Sequence, residues 1–235
     1  MLLAGRVRVG AGDGARLDRK PGDLVDPAIP IELVEAAPFV SRGGEKLAGA
    51  LDAFGVDPAG RVCLDVGAST GGFTDCLLRR GASRVYALDV GRGQLAASLR
   101  ADPRVVSMER THARRLDPAD PEAIDLPEPP SLAVVDVSFI SLTRVLGAIA
   151  ARLAGGGEIV PLVKPQFEAG PKAAAGGVVR DPAVHRAVVE RVRGFAESIG
   201  LRCDGEVASP LLGPSGNREF FLHLVKPGPG AAPPA

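Results

Sequence analysis

Tryptophan is absent from this chain of 235 residues and tyrosine occurs once, so the core must be built from aliphatic side chains and eight phenylalanines. Cysteine is scarce too. Cys63, Cys76 and Cys203 have no paired spacing, which excludes a disulfide framework and a cysteine zinc site and suits a reducing, cytoplasmic setting. No metal ligand set is expected. The N-terminus carries no signal-peptide pattern, and no apolar run approaches the ~18 residues of a membrane span. Formal net charge is zero, so any attraction for nucleic acid must come from a local basic face. Lysine is the last shortage. Only Lys20, Lys46, Lys164, Lys172 and Lys226 stand in a chain rich in arginine, alanine, glycine and proline. A lysine kept in that background is a candidate for work that arginine cannot do.

What is present is a core-forming α/β pattern. Hydrophobic residues make up 46% of the chain, and the length suits one α/β domain plus a small appendage. The pattern centres on Val62-Cys63-Leu64-Asp65-Val66, a short buried strand, followed by Gly67-Ala68-Ser69-Thr70-Gly71-Gly72 and a helix opening at Phe73. Strand, glycine turn and helix together present backbone N–H groups to a small ligand. A second strand, Val85 to Leu88, ends at Asp89, roughly 20 residues after the glycine turn, where an acid hydrogen-bonds ribose hydroxyls. The spacing is not the G-x-G-x-x-G of dinucleotide sites; with Asp65 it looks like the loop of S-adenosylmethionine-dependent methyltransferases. Cofactor contacts are therefore expected from Asp65, Gly67, Ser69, Gly71, Gly72, Phe73 and Asp89. Gly67-x-Ser69-x-Gly71 also satisfies the nucleophile elbow of hydrolases. That elbow follows several sheet strands, whereas this loop follows what reads as the first, which argues against an esterase.

Residues 1–36 read as a separate segment. Gly5 to Val9 alternates as a strand, Lys20-Pro21-Gly22-Asp23 turns, and Ile29 to Val34 closes a hairpin. This resembles the β half of the S4 RNA-binding domain, with Arg6, Arg8 and Lys20 as RNA contacts. The basic helices that usually precede it are missing, and the expectation is an in-frame coding extension upstream. A hairpin that merely packs on the main domain is the competing reading. Residues 37–40 form a linker, and residues 227–235 are expected to be a disordered tail.

The main domain, 41–226, opens with a helix from Ser41, a candidate cap, whose apolar positions Leu47, Ala50, Leu51 and Phe54 follow helical spacing. Further strands are expected at Arg104–Met108, Leu132–Val135, Ile159–Val163 and Arg218–Leu224. Helices are expected at Gly93–Arg100, Leu142–Leu153 and from Asp181-Pro182 to Ile199. Alternation of strand and helix implies a parallel sheet covered on both faces.

Asp136 and Lys164 follow the fourth and fifth strands, at the carboxyl edge where α/β sheets bind ligands. Glu219 begins the last strand and shares that edge if the strand runs antiparallel. Lys46 precedes the first strand and can close over the crevice. The alternative is a set of unrelated surface charges. Two lysines and two carboxylates beside a cofactor loop suit the removal of a proton from a ribose hydroxyl. An amine serves as the base when desolvation and a neighbouring cation lower its pKa, and guanidinium cannot replace it because it does not deprotonate.

Six stretches carry a family resemblance: Ser41-Arg42-Gly43-Gly44-Glu45-Lys46-Leu47, Leu64 to Thr74, Asp89 to Leu95, Asp136 to Leu142, Val163 to Glu168 and Gly213 to Glu219. Together they resemble the TlyA family, itself similar to FtsJ-type 2′-O-ribose methyltransferases. The resemblance implies a Rossmann-like seven-stranded methyltransferase sheet of the α/β class behind a truncated S4-like β segment. It implies methyl transfer from S-adenosyl-L-methionine to cytidine 2′-hydroxyls of ribosomal RNA. It puts the Lys-Asp-Lys-Glu tetrad on Lys46, Asp136, Lys164 and Glu219, with Lys164 as general base and Arg42 among the RNA contacts. Partners would be ribosomal RNA or ribosomal subunits, without a membrane. Thr111-His112 departs from the Thr-Asn of close relatives. The family's haemolysin label finds no physical support in a chain without a membrane span or a long basic amphipathic helix. A non-catalytic RNA-binding protein that retains the cofactor fold is the alternative, and the intact tetrad argues against it. A small-molecule methyltransferase is disfavoured by the basic N-terminal strand and the RNA-type tetrad.

Overall fold

The computed structural model describes residues 7–10, 24–33, 38–170, 177–213 and 216–228, without the side chains of Val7, Arg8 and Leu33. The chain divides into two compact units, Met1–Pro38 and Phe39–Ala235. In the first, β1 (Val7–Val9) pairs antiparallel with β2 (Ile31–Leu33), Val7 opposite Leu33 and Val9 opposite Ile31. The hairpin expected there is present with shorter strands. Arg6, Lys20 and the turn after Lys20 lie outside the described residues, as does the side chain of Arg8.

The second unit is built on a seven-stranded sheet in the order β5-β4-β3-β6-β7-β9-β8. Its strands are β3 (Val62–Val66), β4 (Arg84–Leu88), β5 (Val105–Met108), β6 (Leu132–Val135), β7 (Glu158–Val163), β8 (Arg202–Ala208) and β9 (Phe220–Val225). From β5 to β7 all neighbours run parallel, while β9 runs antiparallel to both β7 and β8. The central strands are apolar along their length because both faces are covered. On one face, α1 (Arg42–Phe54) and α2 (Gly72–Arg79) bring Leu47, Leu51, Leu77 and Phe73 against Cys63, Val85 and Phe221. On the other, α4 (Leu146–Arg152) and α6 (Pro182–Ser198) bring Leu146, Ile149, Val188 and Val192 against Leu64, Val66 and Val135. The strand order reverses at β3, between β4 and β6. A doubly wound sheet leaves its ligand crevice at that point, outside the carboxyl ends of the strands.

Several local expectations are corrected. Gly93–Arg100 contains only a single turn, α3 (Ala97–Arg100). The expected helix from Leu142 begins as a 3₁₀ turn, Leu142–Arg144, and becomes α-helical only at Leu146. The last strand starts at Phe220, so Arg218 and Glu219 lie in the loop before it. A short helix, α5 (Pro165–Glu168), follows β7 directly. The edge strand β8 matches no strand named from the sequence: exposed Arg202, Asp204 and Glu206 alternate with half-buried Cys203, Gly205 and Val207. Asp181 caps α6 as expected, accepting from Ala183 N at 2.8 Å. Burial pushes the thiols of Cys63 and Cys76 up to about 12 and about 11, which leaves both protonated and inert at neutral pH.

Candidate active site

The loop after β3 is shaped by what it must approach. Gly67 has φ of 90°, and a Cβ there would stand 2.4 Å from the carbonyl oxygen of Asp136. Only glycine allows β3 and β6 to converge this closely. Ser69 follows with φ of 47°, and its N–H donates to Asp89 Oδ2 at 2.8 Å. The other oxygen of Asp89 accepts from Gly91 N at 2.6 Å. Asp89 thus ties the loop after β3 to the loop after β4. Gly71 occupies the N-cap of α2 and faces Leu95 and Leu99, away from the cavities described below. Gly72 lies against α1, where a Cβ would meet Ser41 Oγ at 2.2 Å. Ser41 is at the N-cap of α1 as expected, but its side chain makes no capping bond.

Asp65 differs from its expected role. Its side chain is fully buried beneath the loop and reaches neither cavity. Thr74 Oγ1 donates to its Oδ2 at 2.7 Å, and Oδ1 has no hydrogen-bond partner among the described residues. Desolvation above all, with the charges of Asp136 and Asp89 adding to it, raises its pKa to about 7 despite the Thr74 bond.

Two cavities open on the carboxyl edge. The larger, about 740 Å³, is lined by Gly67, Ser69, Asp89, Val90, Gln94 and His112 with Asp136 and Phe139 on its far wall. The second, about 390 Å³, is lined by Arg42, Lys46, Phe73, Asp136, Lys164 and Glu219, with Gly67, Ser69 and Gly72 at its base. Gly67, Ser69 and Asp136 belong to both. All four tetrad residues named from the sequence therefore face one space that adjoins the nucleoside-sized one. Strain gathers here as well: Ser69 and Phe139, two of the three non-glycine residues with positive φ among the described residues, both line the larger cavity.

The tetrad forms two ion pairs. Lys46 Nζ lies 2.5 Å from Glu219 Oε2, and both side chains are buried. Gln166 Nε2 donates to the other oxygen of Glu219 at 3.3 Å. Lys164 Nζ lies 2.7 Å from Asp136 Oδ1, off the direction of a good hydrogen bond, and donates to Ser138 Oγ at 2.9 Å. The antiparallel entry of β9 beside β7 brings Glu219 to the edge at which Lys164 leaves β7. The buried Lys46–Glu219 pair adds little net stability, because desolvating two charges offsets most of their attraction. Its value is orientation.

Sequence reasoning passed over four contributors. Ser138 holds Lys164 and Gln166 holds Glu219. Asn217 organises the loop before Glu219, bonding to Val179 N and Gly177 O. The fourth is Phe139, 90% exposed with φ of 65°, its ring 4.8 Å from that of Phe167. No periodicity signals a loop residue of this sort; the only sequence signal is an aromatic inside the Asp136–Leu142 stretch. His112 stands in the wall of the larger cavity, its Nδ1 accepting from Arg114 N at 3.2 Å. Arg42 is exposed at the mouth of the smaller cavity, and its guanidinium donates to Leu212 O at 2.8 Å.

Comparison with known proteins identifies the family of the domain that carries these residues. Residues 39–226 match the family described as FtsJ-like methyltransferase. The chain is 50% identical over 227 residues to "16S/23S rRNA (cytidine-2'-O)-methyltransferase TlyA" of Mycobacterium tuberculosis, covering 95% of this chain and 81% of that protein. It is 39% identical to "Hemolysin A" of Brachyspira hyodysenteriae, covering 96% of this chain and 91% of that protein. A solved structure described as a hemolysin from Lactococcus lactis superposes with a TM-score of 0.77 at 46% identity, covering 81% of this chain and 89% of that one. No helix among the described residues is long and apolar enough to cross a membrane.

Proposed function

The chain belongs to the FtsJ-like methyltransferase family, whose cofactor is S-adenosylmethionine, and from that premise we propose that it methylates cytidine 2′-hydroxyls of ribosomal RNA. One observation carries the reading: Lys46, Asp136, Lys164 and Glu219 line a single cavity that shares Gly67, Ser69 and Asp136 with the larger one. The activity named for the 50% identical relative supports the same substrate.

The larger cavity fits the cofactor. Asp89 presents a carboxylate to ribose hydroxyls, and Val90, Ala113, Ile140 and Val145 supply apolar walls for a base. Glycine at position 67 keeps the floor open, and the nearby carboxylates of Asp89 and Asp136 suit a cationic ligand. Gly67, Ser69 and Asp89 would hold S-adenosylmethionine there, and it would supply an electrophilic methyl group.

The chain's own residues do the rest. Lys164 is placed to accept the proton of the 2′-hydroxyl on Nζ as that oxygen takes up the methyl group the cofactor would supply. Asp136 and Ser138 aim that amine. Lys46, held by Glu219, offers positive charge to the developing alkoxide. Phe139, exposed and braced by Phe167, gives the acceptor base a face to stack on. Arg42 and the S4-like residues Arg6, Arg8 and Lys20 serve as phosphate contacts, with ribosomal subunits in the cytoplasm as the setting.

The experiment is Lys164→Arg. Positive charge is kept and the capacity to deprotonate is removed. Melting temperature and S-adenosylmethionine affinity should stay close to wild type, while methyl transfer to rRNA falls by at least about 100-fold, the lower end of what a general base contributes. Near-normal turnover in that variant would remove Lys164 as the base.

A further inference from the structure

A third cavity, about 640 Å³, lies between the loop before β9, the strand β8 and the start of α6, and it has no part in the chemistry above. We propose that this groove binds the phosphodiester backbone of the RNA strand flanking the methylated nucleotide. The proposal rests on the rRNA-methylating reading and adds the place where the strand is held.

Three arginines define the groove: Arg180, Arg186 and Arg218. All three are exposed, and none of their guanidinium groups has a hydrogen bond or ion pair among the described residues. The contrast with nearby arginines is sharp. Arg191 pairs with Glu168, Arg193 with Glu190 and Glu206, and Arg202 with Asp204. The one carboxylate that lines the groove, Glu206, is the partner of Arg193 at 2.7 Å. The carboxylate of Asp181, at the start of α6, is turned to the helix cap. Three guanidinium groups thus share a concavity whose neighbouring acids are engaged. Such a field attracts polyanions, and the guanidinium fork matches phosphate oxygens in pairs. Val179, Leu212 and Phe220 add apolar walls on which a sugar can rest.

The ligand must be a strand because of how the groove is joined to the active site. Arg218 is exposed toward it, while the next residue, Glu219, is 1% exposed and bonded to Lys46. Neighbouring residues of one segment, about 3.8 Å apart at Cα, serve the two spaces from opposite sides. A ribose at the tetrad and a phosphate at Arg218 therefore fit successive parts of one chain. The junction is built rigidly. Asn217, 2% exposed, accepts from Val179 N at 2.9 Å and donates to Gly177 O at 2.8 Å, which clamps the Arg180 wall to the Arg218 wall.

The test is Arg180→Gln/Arg186→Gln in the full chain, two exposed positions outside both active-site cavities. Unmethylated ribosomal subunits are the substrate, with inorganic phosphate and cytidine monophosphate as small competitors. The expected result is a KM raised about tenfold, kcat within about twofold and unchanged S-adenosylmethionine affinity. The slope of log affinity against log salt should flatten by roughly 0.7 to 0.9 for each phosphate that the variant no longer neutralises. Wild-type methylation with unchanged KM and slope in the double variant would overturn the groove and leave the proposed activity intact. Arginine-dependent, salt-sensitive RNA binding without methyl transfer would do the reverse. If millimolar phosphate or the mononucleotide abolished the wild-type advantage, the groove would be a small-anion site and the strand assignment would fall.

Discussion

With its carboxyl group enclosed and only Thr74 donating to it, Asp65 keeps its proton up to about pH 7 in the folded protein. In the unfolded chain an aspartate loses its proton near pH ~4. Between those values the folded state binds more protons than the unfolded one, so stability contributed by this group is fully present below about pH 4 and is lost as pH rises through about 7. The size of the effect is on the order of a few kcal/mol. Asp65→Asn keeps an acceptor for Thr74 and cannot ionise. Its unfolding free energy, measured by denaturant titration from about pH 4 to about pH 8, should fall less steeply over that window than the wild-type value. Parallel slopes in the two proteins would mean that Asp65 is already ionised in the fold. The opposite case is Lys164, whose partners Asp136 and Ser138 both face open space. Sequence position put both residues in or at the end of strands; only the fold enclosed Asp65 and left Lys164 facing a cavity.

Among the elements, the turn from β3 to α2 matters most, since both active-site cavities rest on it. Gly67→Ala would drive a Cβ to within 2.4 Å of Asp136 O at φ of 90°, and either β3 or β6 must give way. The expected outcome is a destabilisation of about 1–3 kcal/mol and S-adenosylmethionine binding weakened by at least about tenfold. Calorimetry and thermal melting check both, and wild-type affinity would show that the shared wall at Asp136 yields freely. This turn was readable in advance because glycine has few other reasons to recur between a buried strand and a helix. β8 was not, since an edge strand with one face to solvent carries arginine and acids at every second position and a glycine at its middle. The helix expected from Gly93 failed for a different reason. Leu95 and Leu99 pack against Gly71 from an irregular loop and a single turn, so apolar spacing recorded burial without a helix.

At the scale of the molecule, Phe39–Ala235 contains the whole tetrad and both cavities within one sheet and its two helical layers. A protein reduced to these residues should bind S-adenosylmethionine within about twofold of the full chain, by calorimetry. Its affinity for ribosomal subunits should drop, with a shallower salt dependence, because basic residues such as Arg6, Arg8 and Lys20 are removed. Equal subunit affinity and salt slope would leave the first unit without a role in RNA binding.

The sequence by itself determined the class of sheet, the glycine turn after β3, the acid that follows the second strand of the sheet and the four polar residues that gather at its carboxyl edge. Most of these are written locally: apolar runs, glycines at a forced turn and polar residues at strand ends declare themselves over a few positions. Tertiary structure alone decided which of them meet. Lys46 and Glu219 are separated by 173 positions along the chain, and they pair only because α1 lies over the sheet while β9 enters antiparallel beside β7. Burial under the loop withdrew Asp65 from the ligand space, and packing turned Gly71 toward Leu99. The arginine groove was decided the same way. Arg180, Arg186 and Arg218 look like any other arginines in a chain full of them, and only the fold set the nearby acids against other partners.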